Sequence, residues 1–166
     1  TIENAAPGIG IAQGKVTLIL EGENTVNGGS GFAGIYVSEK SSLTVSGQGT
    51  LAARGGDGKK SGFYSNKWHG IFTSTRCYFG GAAGIGGNGL WLHSNDTWVA
   101  NSVPSFGTIL IESGNITAQG GKANITNAGA GAGIGAGGSS SQKSINYSFT
   151  GTIAIKNGTV KAVGGM

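Results

Sequence analysis

Apolar and polar residues alternate along this chain with a period of two, in short bursts separated by glycine. Val16, Leu18 and Leu20 fall on one side of an extended segment, Thr17 and Ile19 on the other. Leu43 and Val45 flank Thr44, and the pairs Ile109/Ile111 and Ile153/Ile155 repeat the pattern. Period two with β-branched residues predicts strands. No segment carries a helical period.

The bursts belong to a repeat. Residues 16–29 read VTLILEGENTVNGG, and residues 43–56 read LTVSGQGTLAARGG. Residues 107–121 (GTILIESGNITAQGG) and 151–165 (GTIAIKNGTVKAVGG) match in spacing throughout. A second motif alternates with the first: a Gly-Ile pair among small residues, at Gly8-Ile9, Gly34-Ile35, Gly84-Ile85 and Gly133-Ile134. The first motif predicts two strands and a turn, the second a third strand. Three very short strands per repeat predict one coil of a parallel β-helix, in which stacked coils share an aliphatic core. Glycine is expected at the corners, where a positive φ or close coil contact excludes a Cβ. The reading is all-β: a right-handed, single-stranded parallel β-helix of about four coils with aromatic-rich loop insertions, with residues 1–166 as one domain and a fragment of a longer protein. A β-sandwich is the competing fold, but it predicts two-residue hairpins every 8–12 residues rather than internal copies.

Composition narrows the picture. Glycine contributes 35 residues and proline only 2, so the chain is not collagen-like. Charged residues are 11% against 37% hydrophobic, a balance that excludes a simple disordered chain. The net charge of +4 comes from scattered basic residues, not the dense stripe of a nucleic-acid surface. No apolar run is long enough for a membrane-spanning helix, so no membrane insertion is expected. The single Cys77 excludes an internal disulfide and reads as a buried hydrophobe.

The glycine-rich stretch 131–138 (GAGIGAGG), followed by Gly-Thr-Ile-x-Ile-x-x-Gly-x-(Val/Ile)-x-Ala-x-Gly-Gly, resembles the β-helical repeats of large bacterial cell-surface proteins. Many of those are adhesins or carbohydrate-binding modules. The resemblance covers about three-quarters of the chain. It implies an extracellular location, on a bacterial surface or secreted, and neighbours in a longer parent chain or end-to-end self-association to cover the coil ends.

Function is expected in the segments that do not repeat, roughly 57–81, 90–106 and 139–149. The first two hold nine of the thirteen aromatics, including Phe63, Phe72, Tyr78, Phe79 and Phe106, and both histidines and both aspartates. Tyr64, Trp68, His69, Trp91, His93, Asp96 and Trp98 are the candidate ligand-binding residues. Aromatic faces stack on sugar rings, while the polar groups meet hydroxyls. The alternation Leu90-Trp91-Leu92-His93 puts the two leucines on one side, expected buried, and Trp91 with His93 on the other, expected available. The plainer alternative is that the inserts fold into a satellite aromatic cluster. The expected function is a non-catalytic module binding a glycan or host ligand, without metal or cofactor. An enzyme acting on polysaccharide is the alternative, with Asp57 and Asp96 as its two carboxylates. A structural stalk is the third reading. Two histidines without a third ligand make no metal site, and the Gly-x-Gly runs precede no helix, so they are corners and not phosphate loops. An ice-binding face would need a regular threonine row, and Thr17, Thr44, Leu110 and Ala154 break it.

Overall fold

A computed structural model describes residues 6–68, 71–89, 91–93, 105–124, 126, 128–139 and 150–166, with the backbone alone for 60–68, 71–78 and 91–93. Fifteen strands are formed among the described residues. Twelve make three four-stranded parallel sheets. The first sheet holds β1 (Ile9–Ile11), β4 (Ile35–Val37), β9 (Ile85–Gly86) and β13 (Ile134–Gly135). The second holds β2 (Gly14–Leu20), β5 (Ser41–Gly47), β11 (Thr108–Ile111) and β14 (Thr152–Ile155). The third holds β3 (Glu23–Asn27), β6 (Thr50–Arg54), β12 (Asn115–Gln119) and β15 (Thr159–Val163). The chain therefore visits the three sheets in the same order on four passes, an arrangement compatible with a parallel β-helix. The remaining strands, β7 (Lys60–Trp68), β8 (Ile71–Phe79) and β10 (Trp91–His93), form a separate antiparallel sheet. Among the described residues no helix is long and apolar enough to cross a membrane.

Register stacks like on like. Ile9, Ile35, Ile85 and Ile134 form one row of the first sheet. Val16, Leu43, Ile109 and Ile153 form a row of the second, and Leu18, Val45, Ile111 and Ile155 the row beside it. The third sheet contributes Asn24, Leu51, Ile116 and Val160, then Val26, Ala53, Ala118 and Ala162. The two middle passes are sealed: Ile35, Ile85, Ile109 and Ile111 are 0% exposed. Each such side chain contributes on the order of 1.5–3 kcal/mol of burial. The outer passes are half open, with Val16 at 41%, Ile153 at 41% and Ile155 at 54%. The outward row Thr17, Thr44, Leu110 and Ala154 is in register, and its mixed composition stands.

Two different constraints select glycine. At the turn between the second and third sheets, Gly22, Gly114 and Gly158 have positive φ, which glycine adopts without strain. At the Gly-Ile motif the constraint is space. A methyl on Gly84 would stand 2.6 Å from the Gly133 oxygen, 2.8 Å from Gln119 N and 2.9 Å from the Ala53 oxygen. Gly34 is boxed in the same way, by the Gly84 oxygen at 2.7 Å and Arg54 N and O. The main chains of neighbouring passes touch there, and their bonds confirm it: Gly34 N–H donates to Ala83 O and Gly84 N–H to Ala132 O.

One residue assigned to an insert belongs to the core. Phe106 is 9% exposed, clusters with the aliphatic rows, and fills the space beside Gly151. The 90–106 insert therefore ends before Ser105, itself 4% exposed. A residue given no role, Tyr36, sits half-buried between Gly10 and Gly86 in the register of the first sheet. Burial, and to a lesser extent the Glu39 carboxylate, pushes its phenol above the usual value near 10.

Position in the stack sets the cost of a deletion. Ile111→Ala should lose about 2–5 kcal/mol by denaturant unfolding, whereas Ile155→Ala in the same row should lose about 1 kcal/mol or less in dilute solution. Gly84→Ala should cost about 3 kcal/mol, because the obstructing atoms are backbone and cannot turn aside. The raised Tyr36 value means that the unfolded chain loses its phenol proton first. Stability should hold below pH about 10 and fall as pH rises further, a dependence that Tyr36→Phe removes.

Candidate functional site

The inserts leave the stack at two adjacent corners. The β7–β8 hairpin lies between the end of β6 in the third sheet and β9 in the first. The next segment leaves immediately after β9 and supplies β10. These two separate excursions meet. Trp91 is opposite Phe79, Leu92 opposite Tyr78, and His93 opposite Cys77. Cys77 and Tyr78 are in turn opposite Ser61 and Lys60. The candidates Trp91 and His93 therefore occupy alternate positions of β10, and His93, Cys77 and Ser61 form one row.

Beyond that three-stranded base the hairpin continues as two strands. A register shift separates Ser61 from Phe63, and then Tyr64 pairs with Thr75 and Trp68 with Ile71. The rows of Trp91, His93, Tyr64 and Trp68 thus succeed one another along β8, at residues 79, 77, 75 and 71. Eight residues at about 3.4 Å per residue give a span of about 27 Å. The backbone rows of these four candidates follow one another along a ribbon. His69, Asp96 and Trp98 lie outside the described residues, as does the 140–149 part of the last insert.

The base of the ribbon is tied to the stack. The Phe79 ring lies 6.4 Å from that of Phe32, tilted by 40°. Gly31, at φ +74°, leaves room for that ring where a Cβ would stand 2.8 Å from it. Phe79 N–H donates to Lys59 O and Gly58 N–H to Lys122 O. Asn88 Oδ1 accepts the Ala33 N–H at 2.8 Å, just before the second insert departs. The face carrying Phe79 meets the stack at this end, and Trp91, directly opposite Phe79 in the register, shares that face.

Asp57 sits at the root of the hairpin, and its carboxylate is occupied. It accepts the Lys122 N–H at 2.9 Å and the Asn124 Nδ2–H at 3.4 Å. Its backbone oxygen accepts the Gly31 N–H. The Arg54 guanidinium lies 3.8 Å away with both side chains partly in solvent, a geometry that contributes little. Asp57 thus pins the corner after the second pass to the corner after the third. Among the described residues no group of three His, Cys, Asp or Glu side chains could hold a metal ion.

Comparison of the chain with protein-family models, with curated proteins and with solved structures returns no match.

If Asp57 is a tie, its removal is a stability defect. Asp57→Ala should cost about 1–2 kcal/mol, allowing for partial exposure. Asp57→Asn retains an oxygen for the Lys122 N–H and should cost less. Urea unfolding of the two variants checks the order.

Proposed function

We propose that the chain is a right-handed parallel β-helix of four coils that serves as a non-catalytic, extracellular, adhesin-like binding module for an elongated glycan or host ligand. Right-handedness follows from the general rule for parallel crossovers. The bacterial cell-surface or secreted location rests on the repeat resemblance. The observation that carries the reading is the union of two inserts in one sheet. Tyr64, Trp68, Trp91 and His93 succeed one another along about 27 Å of it, whereas the inward rows beneath are almost wholly aliphatic. Aromatics spaced along a ribbon suit stacking against successive rings of a polymer, with polar neighbours for the hydroxyls. The enzyme reading needs a free pair of carboxylates, and the hydrogen bonds of Asp57 weigh against it. Each site would bind modestly and gain strength from repetition in a larger assembly.

A glycan-array screen tests the proposal, with Trp91→Ala and Trp98→Ala beside the parent chain. The expected result is a polymeric glycan hit, at least tenfold weaker in a variant that keeps its β-sheet circular dichroism. No hit on a broad array, or a hit unaffected by either variant, contradicts it. Shortening of the bound glycan on incubation contradicts the non-catalytic assignment.

A further inference from the structure

The insert sheet has two unlike faces. Residues directly opposite in an antiparallel pair share a face, and successive residues of a strand change face. The odd-numbered positions of β8, from Ile71 to Phe79, stand opposite Trp68, Asn66, Tyr64, Ser61, His93 and Trp91. That face holds no lysine, arginine or acid. The even-numbered positions carry Phe72, Ser74, Arg76 and Tyr78. Every lysine and arginine of β7, β8 and β10 belongs to this second face, and each shares its row with an aromatic. Lys60 is opposite Tyr78, Arg76 opposite Phe63, and Lys67 opposite Phe72.

The register shift makes this so. Lys60 and Lys67 are an odd number of residues apart, and an uninterrupted strand would set them on opposite faces. Gly62, between Ser61 and Phe63, is the extra residue of a bulge and brings both lysines to one face. No Asp or Glu occurs between Asp57 and Asp96 in the sequence, and the Asp57 carboxylate accepts from Lys122 N and Asn124. Phe79 belongs to the neutral face, and its ring lies against Phe32 of the stack. At that end the neutral face is the one turned to the stack, and the cationic face is turned away from it.

We propose that the cationic face of the insert sheet is a second binding site, for an acidic polysaccharide that carries carboxylate or sulfate on its sugars. Each of the three rows offers an aromatic position and a positive charge, which are the two groups that an acidic sugar ring calls for. The rows at residues 72, 76 and 78 of β8 spread the three charges over about 20 Å. A nucleic acid carries a phosphate every ~3.4 Å of strand, far denser than these cations, whereas an acidic polysaccharide spaces its charges by whole sugar rings. This face is distinct from the one carrying Tyr64, Trp68, Trp91 and His93, and the inference stands independently of the module proposed above.

The test is biolayer interferometry on the full 166-residue chain with polygalacturonate, chondroitin sulfate, neutral dextran and a thymidine 20-mer as probes. The expected result is binding to one or both acidic polysaccharides and none to dextran. The slope of log affinity on log salt should be about −3 or shallower, as three cations allow. Lys67→Glu and Arg76→Glu should each weaken binding about two- to fivefold or more. Lys15→Glu makes the same change in net charge on the second sheet, which the inserts do not leave, and should have no effect at about 0.15 M salt. Lys67→Gln, which removes the charge alone, replaces Lys67→Glu if that variant loses its β-sheet circular dichroism. No binding to either acidic polymer overturns the proposal. So does equal binding to dextran, equal loss in Lys15→Glu and Lys67→Glu, or tighter binding to the thymidine 20-mer than to both polysaccharides. The two readings fail separately, because the glycan array reads Trp91 and Trp98 and this experiment reads the charges.

Discussion

The structure depends on the contact between main chains at the Gly-Ile corner. Gly34 and Gly84 have backbone atoms of the neighbouring pass within 3 Å of where a Cβ would be. That contact sets the spacing of the first sheet and brings the isoleucine that follows into the sealed interior. The aliphatic rows supply the driving force, but they are interchangeable to a degree: leucine, valine and isoleucine share rows. The glycines are not interchangeable, because what surrounds them is carbonyl and amide and not flexible side chain. Side chains set how stable the stack is; the glycine corner sets whether it can form.

A stack of this kind decides where anything else can be attached. Each sheet is interrupted only at corners, and the inserts use the corner before the first sheet and the one after it. A hairpin placed there must be held at its root. Asp57 does so by bridging to Lys122 and Asn124 on the next pass, and Phe79 does so by packing on Phe32. The second insert then adds one short strand to the first. The scaffold is generic and the ribbon specific, which is why the functional proposal rests on the ribbon.

Much of the scaffold was legible because it repeats. The rows of the second sheet follow from the period-two pattern at Val16, Leu43, Ile109 and Ile153. The third strand of each pass follows from the four Gly-Ile pairs. The inserts occur once and have no copy to align with. Their sequence reads as loop, and the β7–β8 pairing, with its shift between Ser61 and Phe63, has no periodic signal to announce it. By sequence Phe106 groups with the insert aromatics, because it follows a non-repeating stretch; only the packing beside Gly151 separates it from them. Tyr36 carried a signal that could have been used. It is the single aromatic within an Ile-x-Val strand whose counterparts in other passes hold glycine.

Amide hydrogen exchange of the dilute, monomeric chain, resolved by residue, tests the stacking claim most directly. The amides of Gly34, Gly84, Ile85 and Ile109, inside the two middle passes, should exchange slowest and together, at the free energy of global unfolding. The amides of Gly164 and Ile134, facing the open end, should exchange many-fold faster. Rapid exchange at Gly34 and Gly84, or equal protection from the middle passes to the end, would contradict the account.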